Sequence, residues 1–376
     1  MIKYRVFINT ISWYIGTSTD FYLKRRFKGL ERLYPELSFY YPKSLLVPVF
    51  YNFRRLFFAV LRKTKIYVPK SNHGLNIPLL APYHLKEFQN GKFDIIYSQG
   101  VFPINIGDIP VVYDAFFLKL DQCKLNVSRE ELDGYDHVKQ VLDEIVKKNV
   151  VINFRSNKSI KDATKFWPEY SYKFVNIPFL LPDLKALSEE QIKNKHSNIH
   201  KIRILFVGAQ AKRKGLQLLL DALSELWNEG YTDFELNVVS ACSDGKIIFP
   251  SNIPCVNYGK RSYDFVMNLY KQCQVYAMVS HFESFGISYI EAQANGLISL
   301  LRDFEPQREI ADYGRLGFLA KPEVNDIKDK LKRIFQLSDN ERIEMALACR
   351  LNFLDKYEYR VVANQWHKAF MHFKNE

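Results

Sequence analysis

Two short stretches of this sequence put ionisable side chains beside helix starts. In the first, FVGAQAKRKGLQLLLDAL, an apolar strand pattern ends at Gly208, and Arg213 and Lys214 stand just before an amphipathic helix opened by Gly215. A strand, a tight loop and a helix start bring unpaired backbone N–H groups and the positive end of a helix dipole to one point, where phosphate is the natural occupant. A guanidinium and an ammonium there neutralise a diphosphate and stabilise it as a leaving group. The competing reading is a pair of solvated surface cations, the usual fate of basic residues at a loop-to-helix junction.

The second stretch, SHFESFGISYIEAQANG, follows the apolar run VYAMVS and carries Glu283, Phe285, Gly286, Ile287 and Glu291. One carboxylate falls in the loop and the other in the first turns of the helix, so both lie near one strand end. A carboxylate accepts two hydrogen bonds from vicinal hydroxyls, and such a pair suits a ligand with two sugars, a ribose and a transferred hexose. Gly286 lets backbone approach a ligand closely, and the N–H groups of Phe285 to Ser288 again face a helix start. The plainer reading makes Glu283 a charge favoured by the helix's positive end and Glu291 an exposed helical acid.

Together, in order and separation, the two stretches resemble the donor-site signatures of retaining GT-B glycosyltransferases, the glycosyl transferase group 1 family. The likeness runs over roughly 130 residues, from Ile204 to Phe335. The resemblance implies that Lys214, with Arg213, holds the donor diphosphate, Glu283 contacts hydroxyls of the transferred sugar, and Glu291 binds the ribose. Gly208, Phe285, Gly286 and Ile287 would line the donor with backbone, and backbone near Tyr258 and Gly259 would read the nucleobase. It further implies retention at the anomeric carbon, with the departing phosphate oxygen helping to deprotonate the acceptor. The family works without a metal, so no cofactor is expected beyond the nucleotide-sugar donor itself. The sequence agrees in having no Asp-x-Asp to bridge a cation to a diphosphate.

The sequence departs from the family at several points. Ala209 stands where many members carry Arg, and the loop Asp303 to Glu309 lacks the family's glycines, although Glu309 matches the usual carboxylate there. In the N-terminal half, Asp114 stands where members often place a catalytic His. An Asp there would orient a hydroxyl or stabilise positive charge on the sugar ring, or else serve as a cap or turn residue. Gly16, alone in ISWYIGTST, is the candidate for backbone approach to the donor phosphates.

The elements that must position these residues are legible as a βαβ rhythm. The runs YRVFINT, LSFYY, FDIIYSQG, IPVVYDAFF, VVINFRS and YKFVNIPF alternate with helical patterns around Phe21 to Leu33, about Arg129 to Lys148, and near Lys158. A second series runs RILFVG, FELNVVS, VNYGK, VYAMVS, LISLL and GFLA. Strands apolar on both faces demand a covered parallel sheet. The expected fold is therefore α/β, two doubly wound, Rossmann-like domains facing across a cleft with ligands at the carboxyl ends of strands, and the resemblance implies that it is of the GT-B type. Residues 1–190 form the expected acceptor domain and 191–357 the nucleotide-sugar domain, with a C-terminal helix at 358–376 crossing back to the first.

Composition sets the remaining expectations. At 376 residues, with 47% apolar and 25% charged, the chain is long enough for two cores. No run approaches a membrane-spanning helix and the N-terminal residues alternate like a strand, which points to a cytoplasmic protein. The five cysteines are irregularly spaced and the eight histidines form no metal pattern, so reduced thiols and no metal site are expected. Residues 1–100 carry 16 Lys and Arg against 5 Asp and Glu, nearly all of the net charge of +12. Lys24, Arg25, Arg26, Lys28, Arg54, Arg55, Arg62, Lys63 and Lys65 are interleaved with apolar residues, a pattern that suits either an anionic membrane contacted through residues 20–70 or an ordinary amphipathic surface. No nucleic-acid module accompanies it. The leading reading is a hexosyltransferase acting on a glycan or lipid-linked acceptor in cell-surface polysaccharide biosynthesis, at the inner face of the membrane. The alternatives are a nucleotide-sugar binder that has lost transfer and a basic membrane-surface protein.

Overall fold

The computed structural model describes residues 3–10, 18–41, 91–99, 108–115, 142–281, 283 and 285–374. Gly16, Cys123, Arg54, Arg55, Arg62, Lys63, Lys65 and most of the helix expected at 129–148 lie outside these residues. The chain divides into two compact units, Met1–Pro182 with Val362–Glu376, and Asp183–Val361.

The first unit holds six parallel strands, β1 (Tyr4–Thr10), β2 (Leu37–Tyr40), β3 (Ile95–Gln99), β4 (Val111–Asp114), β5 (Val150–Asn153) and β6 (Phe174–Val175), in the order β2-β1-β3-β4-β5-β6. Every position of β3, β4 and β5 is buried, as central strands covered on both faces require. The Ser18–Leu33 helix packs Phe27 on Phe39, with ring centroids 4.5 Å apart, and edge-on to Tyr97. The end of the chain belongs to this same core. Phe370, on the Tyr359–Met371 helix, meets Phe39 edge-on at 5.3 Å, and the Trp366 indole donates to the Pro178 carbonyl at 3.0 Å. His367 stacks on Tyr34 and bonds Glu36 at 2.8 Å.

The second unit repeats the scheme with β7 (Ile202–Val207), β8 (Phe234–Val239), β9 (Cys255–Asn257), β10 (Val275–Met278), β11 (Ile298–Arg302) and β12 (Gly317–Ala320). Their order is β12-β11-β10-β7-β8-β9, all parallel. Winding therefore runs outward one way from β7 through β8 to β9, and the other way from β10 through β11 to β12. The reversal falls between β7 and β10, and the carboxyl ends of that pair are where doubly wound sheets bind ligands. The Leu216–Asn228 helix is apolar at helical spacing, and Leu216, Leu219, Leu220, Leu223 and Leu226 are fully buried. Each contributes roughly 1.5–3 kcal/mol of hydrophobic stabilisation, which fixes the helix and hence the loop before it. The Ile287–Ala294 helix is held by the long Asp339–Lys356 helix, where Asn352 donates to Gln293 at 2.9 Å. Ser338 and Glu341 form a capping box at the start of that long helix.

Candidate functional site

The loop after β7 and the loop after β10 converge at the switch point. Glu283 Oε2 lies 3.5 Å from Lys214 Nζ and 3.9 Å from Arg213 Nη1. The Lys214 and Glu283 side chains are only 15% and 12% exposed, so the three charges meet where water screens them weakly. The two loops are also joined through backbone, since the His281 N–H donates to the Arg213 carbonyl at 2.8 Å.

Glycine makes this approach possible. Gly215 caps the Leu216–Asn228 helix with φ +78°, and a Cβ there would lie 2.1 Å from the Val279 carbonyl oxygen. Gly286 caps the Ile287–Ala294 helix with φ +87°, its missing Cβ overlapping the Tyr289 ring. Left-handed backbone favours glycine at both points. Among the described residues no side chain caps either helix, and the positive ends of two dipoles face the loops that carry Lys214 and Glu283. At Gly208 a Cβ would lie 2.2 Å from Lys214 Cδ; the absent side chain leaves a channel for the lysine.

Glu291 stands one turn into the second helix. Burial pushes its carboxyl up to about 7, against the opposing effects of a hydrogen bond with Tyr270 and the charge of Lys214. Phe285 is buried, with its ring 6.3 Å from that of Tyr357, and Ile287 is the first helical residue. Tyr258 follows β9, its hydroxyl donating to Asn237 at 2.9 Å. Its N–H donates to the Val238 carbonyl and that of Gly259 to Asn257 Oδ1.

Three residues that shape the site escaped sequence reasoning. The Asp244 carboxylate accepts from the N–H groups of Lys212 and Arg213 at 3.1 and 2.7 Å, and these bonds, working against burial, keep its carboxyl below the usual range. Its signal was the turn spelling Ser-Asp-Gly after β8. Gln210 accepts from Arg213 Nε at 2.7 Å. Arg302, the one charge ending the apolar strand β11, donates to the carbonyls of Ser280 and His281 and so fixes the loop that leads to Glu283. With burial and this guanidinium beside it, His281 is lowered from the ordinary histidine range.

Two expectations are corrected. Asp114 is fully buried. Its carboxylate accepts from Tyr97 at 2.7 Å, Gln99 at 3.3 Å, Asn153 at 3.3 Å and Arg155 Nε at 2.9 Å, with a further bond from Arg155 Nη2. Both oxygens serve an interior ion pair, and the carboxylate is closed to solvent. Arg26 is likewise buried, its guanidinium 4.6 Å from the Phe179 ring centroid, so among the described residues of that basic set Lys24, Arg25 and Lys28 face solvent.

This pairing of two six-stranded parallel sheets, with a charged site at the switch point of the second, is the GT-B fold. Sucrose-phosphate synthase from Thermosynechococcus elongatus superposes with TM-score 0.72 at 12% identity over 99% of both chains. WaaG, a glycosyltransferase involved in lipopolysaccharide biosynthesis, does so with TM-score 0.65 at 14% identity over 97% of this chain and 99% of its own. Anabaena HepE, solved in complex with UDP and glucose, gives TM-score 0.63 at 13% identity over 99% and 100%. Residues 201–337, all within the second unit, match the family Glycosyl transferases group 1. An uncharacterised glycosyltransferase of Methanocaldococcus jannaschii is 28% identical over 152 residues, which span 38% of this chain and 40% of that relative.

Proposed function

We propose that this protein is a retaining glycosyltransferase that moves a hexose from a nucleoside diphosphate sugar to a glycan or lipid-linked acceptor. The observation that carries the reading is the meeting of Arg213, Lys214 and Glu283 at the carboxyl ends of β7 and β10, between two glycine-capped helix starts. Two cations and two helix dipoles suit a diphosphate whose negative charge grows as the glycosidic bond breaks. Glu283 then serves hydroxyls of the transferred sugar and Glu291 those of the ribose. HepE carries UDP in its structure, which supports a uridine nucleotide as the first donor to test. Charge neutralisation by Arg213 and Lys214 supports transfer without a metal.

The test is a binding and turnover panel. UDP, GDP, ADP and CDP are ranked by thermal shift, and the matching sugar nucleotides are then incubated with an acceptor pool with and without EDTA. The expected result is one preferred nucleotide, released from its sugar donor at a rate that EDTA leaves unchanged. Binding of a nucleotide with no release from any sugar donor would favour the alternative that Ala209 motivates, a binder that has lost transfer.

The exposed Lys24, Arg25 and Lys28 support peripheral contact with an anionic membrane at its cytoplasmic face, where a lipid-linked acceptor for a cell-surface polysaccharide would lie. Co-sedimentation with phosphatidylserine vesicles checks this. Charge reversal at the three residues should weaken binding while donor affinity holds, and unchanged sedimentation would refute it.

A further inference from the structure

The second unit has a cavity at the opposite end of its central strands. It holds about 430 Å³, opens widely to solvent, and lies among the Glu189–His196 helix, the start of β7 and the end of the Tyr263–Gln272 helix. Three cations line it, Lys195, Arg203 and Lys271, together with the amides of Gln191, Asn194 and Gln272. No carboxylate lines it. Arg203 is the second residue of β7 and Gly208 follows the last, so the cavity lies about 17 Å along the strand from the Lys214 loop.

The lining is held in place. Lys195 Nζ donates to the Asn295 carbonyl at 2.5 Å and to that of Tyr270 at 3.4 Å, which anchors the amine on two backbone oxygens and on no acid. Gln274, buried, fixes the two walls: its Oε1 accepts from the Arg203 N–H at 2.9 Å and its Nε2 donates to the Lys195 carbonyl at 3.0 Å. Arg203 also pairs with Glu235 at 3.1 Å, an acid that is not among the lining residues. Cations and amide donors without an acid are a donor-rich lining that matches an oxyanion.

We propose that this cavity is a second anion site, taking a phosphate dianion either free or as a small phosphomonoester, separate from the candidate donor site. Lys195 gives the site a pH signature. Burial pushes its amine down to about 7, opposed by the thiols of Cys273 and Cys349, each itself pushed up to about 12 by burial; around Cys273 stand Arg203 and Glu235, and around the neighbouring His196 stand Arg342 and Asp339. A bound dianion holds Lys195 protonated, so binding takes up a proton above pH 7 and weakens as pH rises.

The test is calorimetry on the full chain with its donor site filled by the preferred nucleoside diphosphate. Inorganic phosphate, glycerol 3-phosphate and sulfate are titrated in turn. Saturable binding is expected for each, about tenfold weaker in the Arg203→Gln, Lys271→Gln double variant and unchanged in Lys214→Met. Sulfate, which does not titrate near neutrality, should bind about 25-fold more weakly at pH 8.5 than at pH 6.5, and Lys195→Met should abolish that dependence. If Lys195→Met does not fold, the surface double variant decides alone. Tighter binding of glycerol 3-phosphate than of phosphate identifies an ester as the ligand, and equal binding identifies phosphate itself. Absence of saturable binding, indifference to the double variant, or loss of binding in Lys214→Met would overturn the proposal.

Discussion

If Glu291 receives the ribose, donor affinity must depend on pH in a way that can be worked out in advance. Its carboxyl is pushed up to about 7 by burial. Only the ionised form accepts hydrogen bonds from both ribose hydroxyls, so the binding-competent fraction rises from about 0.1 at pH 6 to about 0.9 at pH 8, and the dissociation constant should fall about tenfold. A sugar nucleotide is the right probe, because its diphosphate is esterified at both ends and does not titrate in this window, whereas a free nucleoside diphosphate does. Isothermal titration at pH 6, 7 and 8, for the wild type and Glu291→Gln, reads the effect. The variant should bind with one weak affinity at all three pH values. The same shift has a stability counterpart in the unliganded protein. The folded state holds this proton more tightly than the unfolded chain, so the contribution of this group to stability is greatest below about pH 4.5 and declines by at most about 3 kcal/mol as pH rises to 7. A wild-type affinity constant across the three pH values, or a variant with the wild-type slope, would refute the assignment of Glu291 to the ribose.

Other substitutions probe the remaining parts. Gly215→Ala forces a Cβ against the Val279 carbonyl at a left-handed position and should cost about 3 kcal/mol or more in chemical denaturation. Gly208→Ala meets only the flexible Lys214 chain; stability should change by less than about 1 kcal/mol while nucleoside diphosphate affinity falls. Glu283→Gln releases Lys214 and Arg213 from their carboxylate, so nucleoside diphosphate should bind about three- to tenfold more tightly while sugar transfer falls about a hundredfold or more. Weaker nucleotide binding in that variant would show that Glu283 is no competitor for the cations. Asp114→Asn strands Arg155 beside a neutral amide in the interior and should lower the unfolding free energy by about 3 kcal/mol, as read by urea denaturation.

The sequence carried the second unit further than the first. The apolar run VYAM is buried at every position, and continuous hydrophobicity is the mark of a central parallel strand. The approach of Lys214 to Glu283 was readable because each residue is pinned to a strand end and a helix start within a few positions. Asp114 was not readable in this way, since its donors Tyr97, Gln99, Asn153 and Arg155 arrive from two neighbouring strands and the turn beyond, and only the register brings them together. Arg26 shows a signal passed over: it precedes Phe27 and lies one turn before Leu30, both on the buried face of the helix, which marks it as half of a core face and not a purely basic surface. The state of Glu291 was hidden for another reason. A glutamate in a helix's first turns reads as solvated until Tyr270, from the preceding helix, is seen to cover it.

The hydrogen bond from His281 to the Arg213 carbonyl ties the fates of two segments almost seventy residues apart in the chain. Alterations made in one will be felt by its mate, and measured effects will not simply sum. Attempts to redirect donor preference by varying either segment by itself will mostly yield damaged proteins. Libraries that diversify both together, keeping the glycine starts and Arg302 constant, have a far better prospect of yielding new preferences.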